Sequence, residues 1–135
     1  MIAGDSDFGE RAVLVRKRLG GWMRQAGHLA AAALVALEHG VARLEEDHAL
    51  ARSIAERLGA LDGLAADPGS VDTNIVMVQV ETPDLDAAGL AAALGERGVR
   101  VMPMGERTLR FVTHRDVSSV DVDRLETATR AALGG

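Results

Sequence analysis

Apolar and polar positions divide the chain into stretches of different period. Ala26, Ala30, Ala33, Leu34 and Leu37 recur at helical spacing and predict a helix from Trp22 to about His39. Alanine favours that helix and permits close packing. Gly40, able to adopt the left-handed conformation, is its expected stop. Val41, Leu44, His48, Ala51, Ile54, Leu58 and Leu61 form one stripe of a second helix, from about Val41 to Leu61. Arg43, Glu45, Glu46, Asp47, Arg52, Glu56 and Arg57 cover the remainder. Residues 7–18 predict a short helix ahead of both.

Beyond Leu61 the period changes. Asp67-Pro68-Gly69-Ser70 is a turn signal. Thr73 to Val80 then alternates, setting Ile75, Met77 and Gln79 against Val76, Val78 and Val80, and predicts a strand. Pro83-Asp84-Leu85-Asp86 opens a helix that carries Leu90 and Leu94 inward and stops at Gly98. Val99 to Met102 reads as a short strand ending at Pro103. Gly105-Glu106-Arg107 turns the chain back into a strand from Thr108 to Thr113. Leu109, Phe111 and Thr113 share one face of it, and Thr108, Arg110 and Val112 the other. The last helix has a clear start: Ser118 caps, Asp121 stands at the third helical position, and Val117 can staple to Val122. The order helix, helix, strand, helix, strand, strand, helix predicts an α+β fold, a small, mostly antiparallel sheet with helices packed on one face.

Composition narrows this picture. The 135 residues suffice for one domain with a modest core, but much of the 47% apolar content is alanine. Only Phe8, Trp22 and Phe111 are aromatic, so large apolar faces are expected to meet a partner or a further domain. With no cysteine there is no disulfide and no thiolate chemistry. The longest apolar run, Leu29 to Leu37, is too short to span a bilayer. Nothing at the start reads as a signal peptide, and the expected setting is the cytoplasm. A net charge of −5 argues against wholesale nucleic-acid binding. The first 28 residues run the other way, with five cations (Arg11, Arg16, Lys17, Arg18, Arg24) against three acids (Asp5, Asp7, Glu10). A small phosphate ligand suits such a patch better than a nucleic acid does.

The chemistry-bearing candidates are few. Lys17 to Gly27, KRLGGWMRQAG, holds the chain's single lysine, its single tryptophan, a Gly-Gly pair and Arg24. Cations and backbone amides gathered at a helix start suit an anion. On spacing alone, a solvated charge run and an ordinary helix-entry turn explain the stretch as well. Arg110 is a cation in the middle of a strand, which needs solvent, a partner or a ligand. Its guanidinium can grip a carboxylate through two parallel hydrogen bonds, which lysine cannot do. By pattern alone it is an arginine on the solvated face of an edge strand. His48 lies on an apolar stripe and reads as a packed neutral histidine. His28 and His39 are eleven residues apart, about 16 Å along one helix, so no ion bridges them. No metal site, Ser-His-Asp arrangement or phosphate-binding glycine loop of the nucleotide type is legible.

Two segments carry a resemblance. RKRLGG followed by MRQAG resembles a segment of the low-specificity L-threonine aldolases, and Leu109-Arg110-Phe111-Val112-Thr113-His114 with Asp116-Val117-Ser118 resembles that family's LR-VTH-DVS segment. The helices between them and Thr73-Asn74-Ile75-Val76 are similar in order and spacing. The likeness covers nearly the whole chain but only about the last third of a complete member. Trp22 stands where the family commonly has a third glycine, and Arg115 where it often has leucine.

The family are pyridoxal-phosphate (PLP) lyases of the aspartate-aminotransferase fold, grouped with the β-eliminating lyases. They cleave β-hydroxy-α-amino acids such as threonine to glycine and an aldehyde. The resemblance therefore implies the C-terminal small domain of such an enzyme. Residues 1–21 would be a remnant of the large-domain side with the basic glycine turn, and residues 22–135 the small domain with its long connecting helices. It implies that Arg110 binds the substrate α-carboxylate. It also implies that Lys17 and Arg24 reach the PLP phosphate of a neighbouring subunit in a homo-oligomer. The family's Schiff-base lysine would lie upstream of this chain, so no catalytic residue is assigned and the chain alone is expected to be inactive. A different class remains open on the residues: a non-catalytic α+β module that binds a small carboxylate or phosphate, or that oligomerises.

Overall fold

A computed structural model describes residues 4–134, and the reading of residues 1–3 as a remnant lies outside them. The chain forms two units, one up to Gly40 and one from Val41 onward.

The first unit is two helices. Helix α1 spans Ser6–Arg18 and starts where Asp5 accepts a hydrogen bond from the Phe8 amide at 2.8 Å. Helix α2 spans Gly27–His39. It begins later than the expected Trp22, because Gln25 sits in the left-handed region (φ 49°) and breaks the helical run. Gly40 ends α2 with right-handed geometry (φ −87°), not the expected left-handed one. What requires glycine there is contact: a Cβ would stand 2.5 Å from the Ala36 carbonyl oxygen. None of the described residues of this unit is buried, although α2 is apolar nearly all round.

The second unit holds the core. A 3₁₀ turn over Val41–Arg43 leads into α3, Leu44–Gly59. The strands are β1 (Leu64–Ala65), β2 (Ile75–Val80), β3 (Met102–Pro103) and β4 (Thr108–Val112), and the helices α4 (Ala87–Glu96) and α5 (Ser119–Ala132) complete the unit. The sheet order is β1-β2-β4-β3, antiparallel throughout. Val76, Val78 and Val80 of β2 and Leu109 and Phe111 of β4 are buried against Ile54 and Leu58 of α3, Leu90 and Leu94 of α4, and Val122 and Leu125 of α5. The opposite face carries Ile75, Met77, Met102 and Val112, all exposed. The expected α+β fold with helices on one face is therefore present.

Helix boundaries follow local chemistry. Asp86 caps α4 by accepting from the Gly89 amide at 2.7 Å. The helix ends as expected at Gly98 (φ 80°), where the Gly98 and Val99 amides bond back to the Gly95 and Leu94 carbonyls. At the start of α5, the Ser118 amide and hydroxyl both donate to the Asp121 carboxylate, at 2.9 and 2.7 Å. Thr113, fully buried just after β4, donates through Oγ1 to the Asp47 carbonyl at 2.7 Å and ties the sheet to the first turn of α3.

Two carboxylates of α5 make stability depend on pH. The Ser118 hydrogen bonds hold Asp121 below the usual carboxylate range. Hydrogen bonds from Arg130, and secondarily from Arg57, do the same for Glu126. A depressed folded value stabilises the fold above the unfolded pKa, about 4, and that contribution disappears as pH falls through the folded value. The thermal midpoint is thus expected to be level above about pH 5 and to fall below about pH 4. Asp121→Asn combined with Glu126→Gln should be less stable than the parent at pH 7, with the gap closing towards pH 3. Thermal melts across that range check it, and a gap that stays constant would contradict it.

Candidate functional site

Arg110 occupies the centre of the open sheet face. The register places Met77 of β2 opposite it on one side and Met102 of β3 opposite it on the other, so Met77, Arg110 and Met102 form one cross-strand row. Arg110 is half-buried in this row. Its Nη2 donates to the Met102 Sδ at 3.1 Å, the guanidinium's one hydrogen bond among the described residues. Its Nε is buried and has no partner. Such an orphan donor is uncommon, since leaving one unmade costs about 1–3 kcal/mol. A carboxylate is the acceptor whose geometry matches a guanidinium fork.

The basic glycine turn lies in the first unit. Lys17 is in the last turn of α1. Its Nζ lies 5.5 Å from the Trp22 ring centroid, and the Arg16 guanidinium carbon lies 4.8 Å from it. Trp22 is thus a platform that gathers two cations, an attraction of roughly 0.5–1 kcal/mol at an exposed position. Gly20, at φ 79°, makes the turn between them, and the Gly21 amide bonds back to the Arg16 carbonyl at 2.9 Å. Arg24 does not ride on the first turns of α2 as expected. It lies in the bend before Gly27, exposed and without a hydrogen bond or ion pair among the described residues.

Other candidates fall away. His48 is partly exposed on α3, and His28 meets only the Gln25 carbonyl, at 3.1 Å. Among the described residues no group of His, Asp and Glu could hold a metal ion. No described helix is long and apolar enough to cross a membrane. A cleft of about 200 Å³ lined by Ile54, Val99, Phe111 and Val122 opens on the helix-covered side of the sheet, away from Arg110.

Comparison with known proteins places these features in a family. The model of the beta-eliminating lyases matches residues 1–83, more than half of the chain. The chain belongs to the beta-eliminating lyase family. Among relatives, a probable low-specificity L-threonine aldolase 2 from Arabidopsis thaliana is 43% identical over 91% of this chain and 35% of its own length. The low specificity L-threonine aldolase of Escherichia coli K12 is 39% identical over 98% of this chain and 38% of its own length. The low-specificity L-threonine aldolase of Candida albicans is 29% identical over 93% and 32%. The chain thus spans about a third of the length of the curated relatives it matches. The family assignment covers the basic glycine turn, α2, α3 and β2, whereas Arg110 lies beyond the matched residues and within the span shared with the Escherichia coli relative.

The sequence singled out Arg110 but not its two methionine neighbours. It noted Trp22 as a departure and not as a cation platform. Both depend on proximity that spacing does not encode.

Proposed function

We propose that this chain is the C-terminal part of a PLP-dependent lyase that cleaves β-hydroxy-α-amino acids such as threonine to glycine and an aldehyde. The observation that carries this reading is the Arg110 guanidinium on the open sheet face, with a buried Nε that lacks an acceptor. The 39% identity to the Escherichia coli threonine aldolase across 98% of the chain supports it. Arg110 binds the substrate α-carboxylate and so fixes the orientation of the α-carbon. A fixed carboxylate directs the neighbouring side-chain bond for cleavage, because orientation is the protein's main contribution in cofactor enzymes.

The residues present also fit the phosphate end of PLP. Arg16, Lys17 and Arg24 are exposed cations around a glycine turn, a donor set suited to a dianion. In this reading Lys17 and Arg24 hold the phosphate, completing a site with a further part of the enzyme or a neighbouring subunit of a homo-oligomer. When bound, PLP supplies the electron sink that makes the carbon–carbon bond breakable. Lys17 is given no covalent role: it is an exposed cation beside two arginines, and nothing in its surroundings buries it.

The test is a segment exchange. This chain replaces the matched segment of the Escherichia coli relative, and acetaldehyde release from threonine is measured with PLP present. Threonine-dependent acetaldehyde above the level of the isolated chain is expected. A soluble, PLP-loaded chimera with no cleavage would overturn the assignment.

A further inference from the structure

We infer that Met102 is a positioning residue for Arg110, a weak latch that holds the guanidinium in place and yields to an incoming carboxylate. This rests on the carboxylate reading of Arg110 and adds to it the residue that tunes the grip.

The argument starts from the cross-strand row. Met102 stands directly opposite Arg110 and takes a hydrogen bond from Nη2 at 3.1 Å. A thioether is a weak acceptor. It can orient a guanidinium but cannot compete with a carboxylate, which brings a full opposite charge and two acceptor oxygens that match the fork. Nη2 carries two protons and sulfur takes one, so the latch leaves the group able to donate further. The buried Nε has no other acceptor, so little else orients this long side chain. An arginine without the latch would regain rotamer freedom and lose it again on binding.

The surroundings fit such a role. Strand β3 is only Met102–Pro103 and lies at the sheet edge, where proline, lacking an N–H, is tolerated. Met102 is 51% exposed, so its side chain is not held by the core. Methionine is flexible enough to move aside without disturbing the strand pairs. On the other flank Met77 offers no acceptor stronger than a thioether. No aspartate or glutamate pairs with Arg110 among the described residues, so no acid competes with the ligand.

The experiment uses the 135-residue chain and sodium acetate as the probe, titrated against chloride at constant ionic strength. The Arg110 Nε–H signal is followed by nitrogen-15 NMR and identified by its loss in Arg110→Lys. In the parent it should be dispersed and shift saturably with acetate. Met102→Leu keeps the size and removes the acceptor. Its Nε signal should move towards that of free arginine, and acetate should bind about two- to tenfold more weakly, the scale of one typical intramolecular hydrogen bond. Met102→Gln supplies a strong neutral acceptor. Its signal should stay dispersed while acetate weakens by a similar factor. Unchanged amide signals of Val78 and Leu109 would show that each variant folds. Parent-like acetate binding in both variants would overturn the latch and leave the role of Arg110 standing. A parent Nε signal indifferent to acetate would overturn the carboxylate reading and the latch together.

Discussion

Arg110→Lys in the active chimera is expected to lower kcat/KM for threonine by about 10- to 100-fold while leaving the PLP absorbance unchanged. Lysine keeps the charge but not the planar fork, so the α-carboxylate loses its paired, parallel donors. A charge-assisted hydrogen bond contributes roughly 1.5–3 kcal/mol, and each 1.4 kcal/mol is a factor of ten. Part of the loss should appear in KM, because the carboxylate is already held in the ground state. Part should appear in kcat, because a loosely held substrate presents the wrong bond for cleavage. Arg110→Gln, without the charge, should lose more than Arg110→Lys. Steady-state rates with threonine, together with the visible spectrum, separate the two effects. Unchanged threonine kinetics in Arg110→Lys would exclude the carboxylate role, and loss of the PLP spectrum would move Arg110 to the cofactor.

Why Arg110 was legible and its setting was not follows from what a single strand encodes. Alternation along Thr108–Val112 places Leu109 and Phe111 on one face and Arg110 on the other, because successive side chains point to opposite faces. That one strand shows a cation facing away from the core. Its neighbours depend on pairing: Met102 is eight residues away in sequence and Met77 thirty-three, joined to Arg110 only by register. Register comes from the whole set of buried positions and the turns between strands. Strand β1 is not legible for a related reason, since the two residues Leu64–Ala65 are too few to show a period.

The helices show the complementary limit. The alanine pattern shows that α2 is a helix but not where it starts, which Gln25 fixes at Gly27 through its backbone conformation. The stripe assigned to α3 was right in phase, and its Ala51, Ile54 and Leu58 are buried. Its leading residues Val41 and Leu44 are exposed instead, at 57% and 49%. Apolar character alone does not tell where a core stops. The charges of the turn before α2 are legible in the sequence, whereas its aromatic platform depends on Arg16, Lys17 and Trp22 being close in space.

The two units should differ sharply in hydrogen exchange. Amides of α1 and α2 are expected to exchange nearly as fast as those of a free peptide. Amides of Val78 and Leu109 should be slowed by the full stability of the second unit, several powers of ten for a typical 5–15 kcal/mol. The reason is where the burial lies. Every buried apolar residue among those described is at or beyond Ala51, and the unit up to Gly40 has none. Helices α1 and α2 have 13 residues each, near the length at which an isolated helix is marginal in water. Tertiary packing of an apolar face supplies most helical stability in proteins, and here Leu29, Leu34 and Leu37 are all exposed. Exchange followed by mass spectrometry at several protein concentrations checks both statements. Protection across Ala31–Val35 equal to that of β4, persisting on dilution, would show that α2 is a full part of the folded unit and would overturn this division. Protection that appears only at high concentration would instead show α2 covered by a second copy.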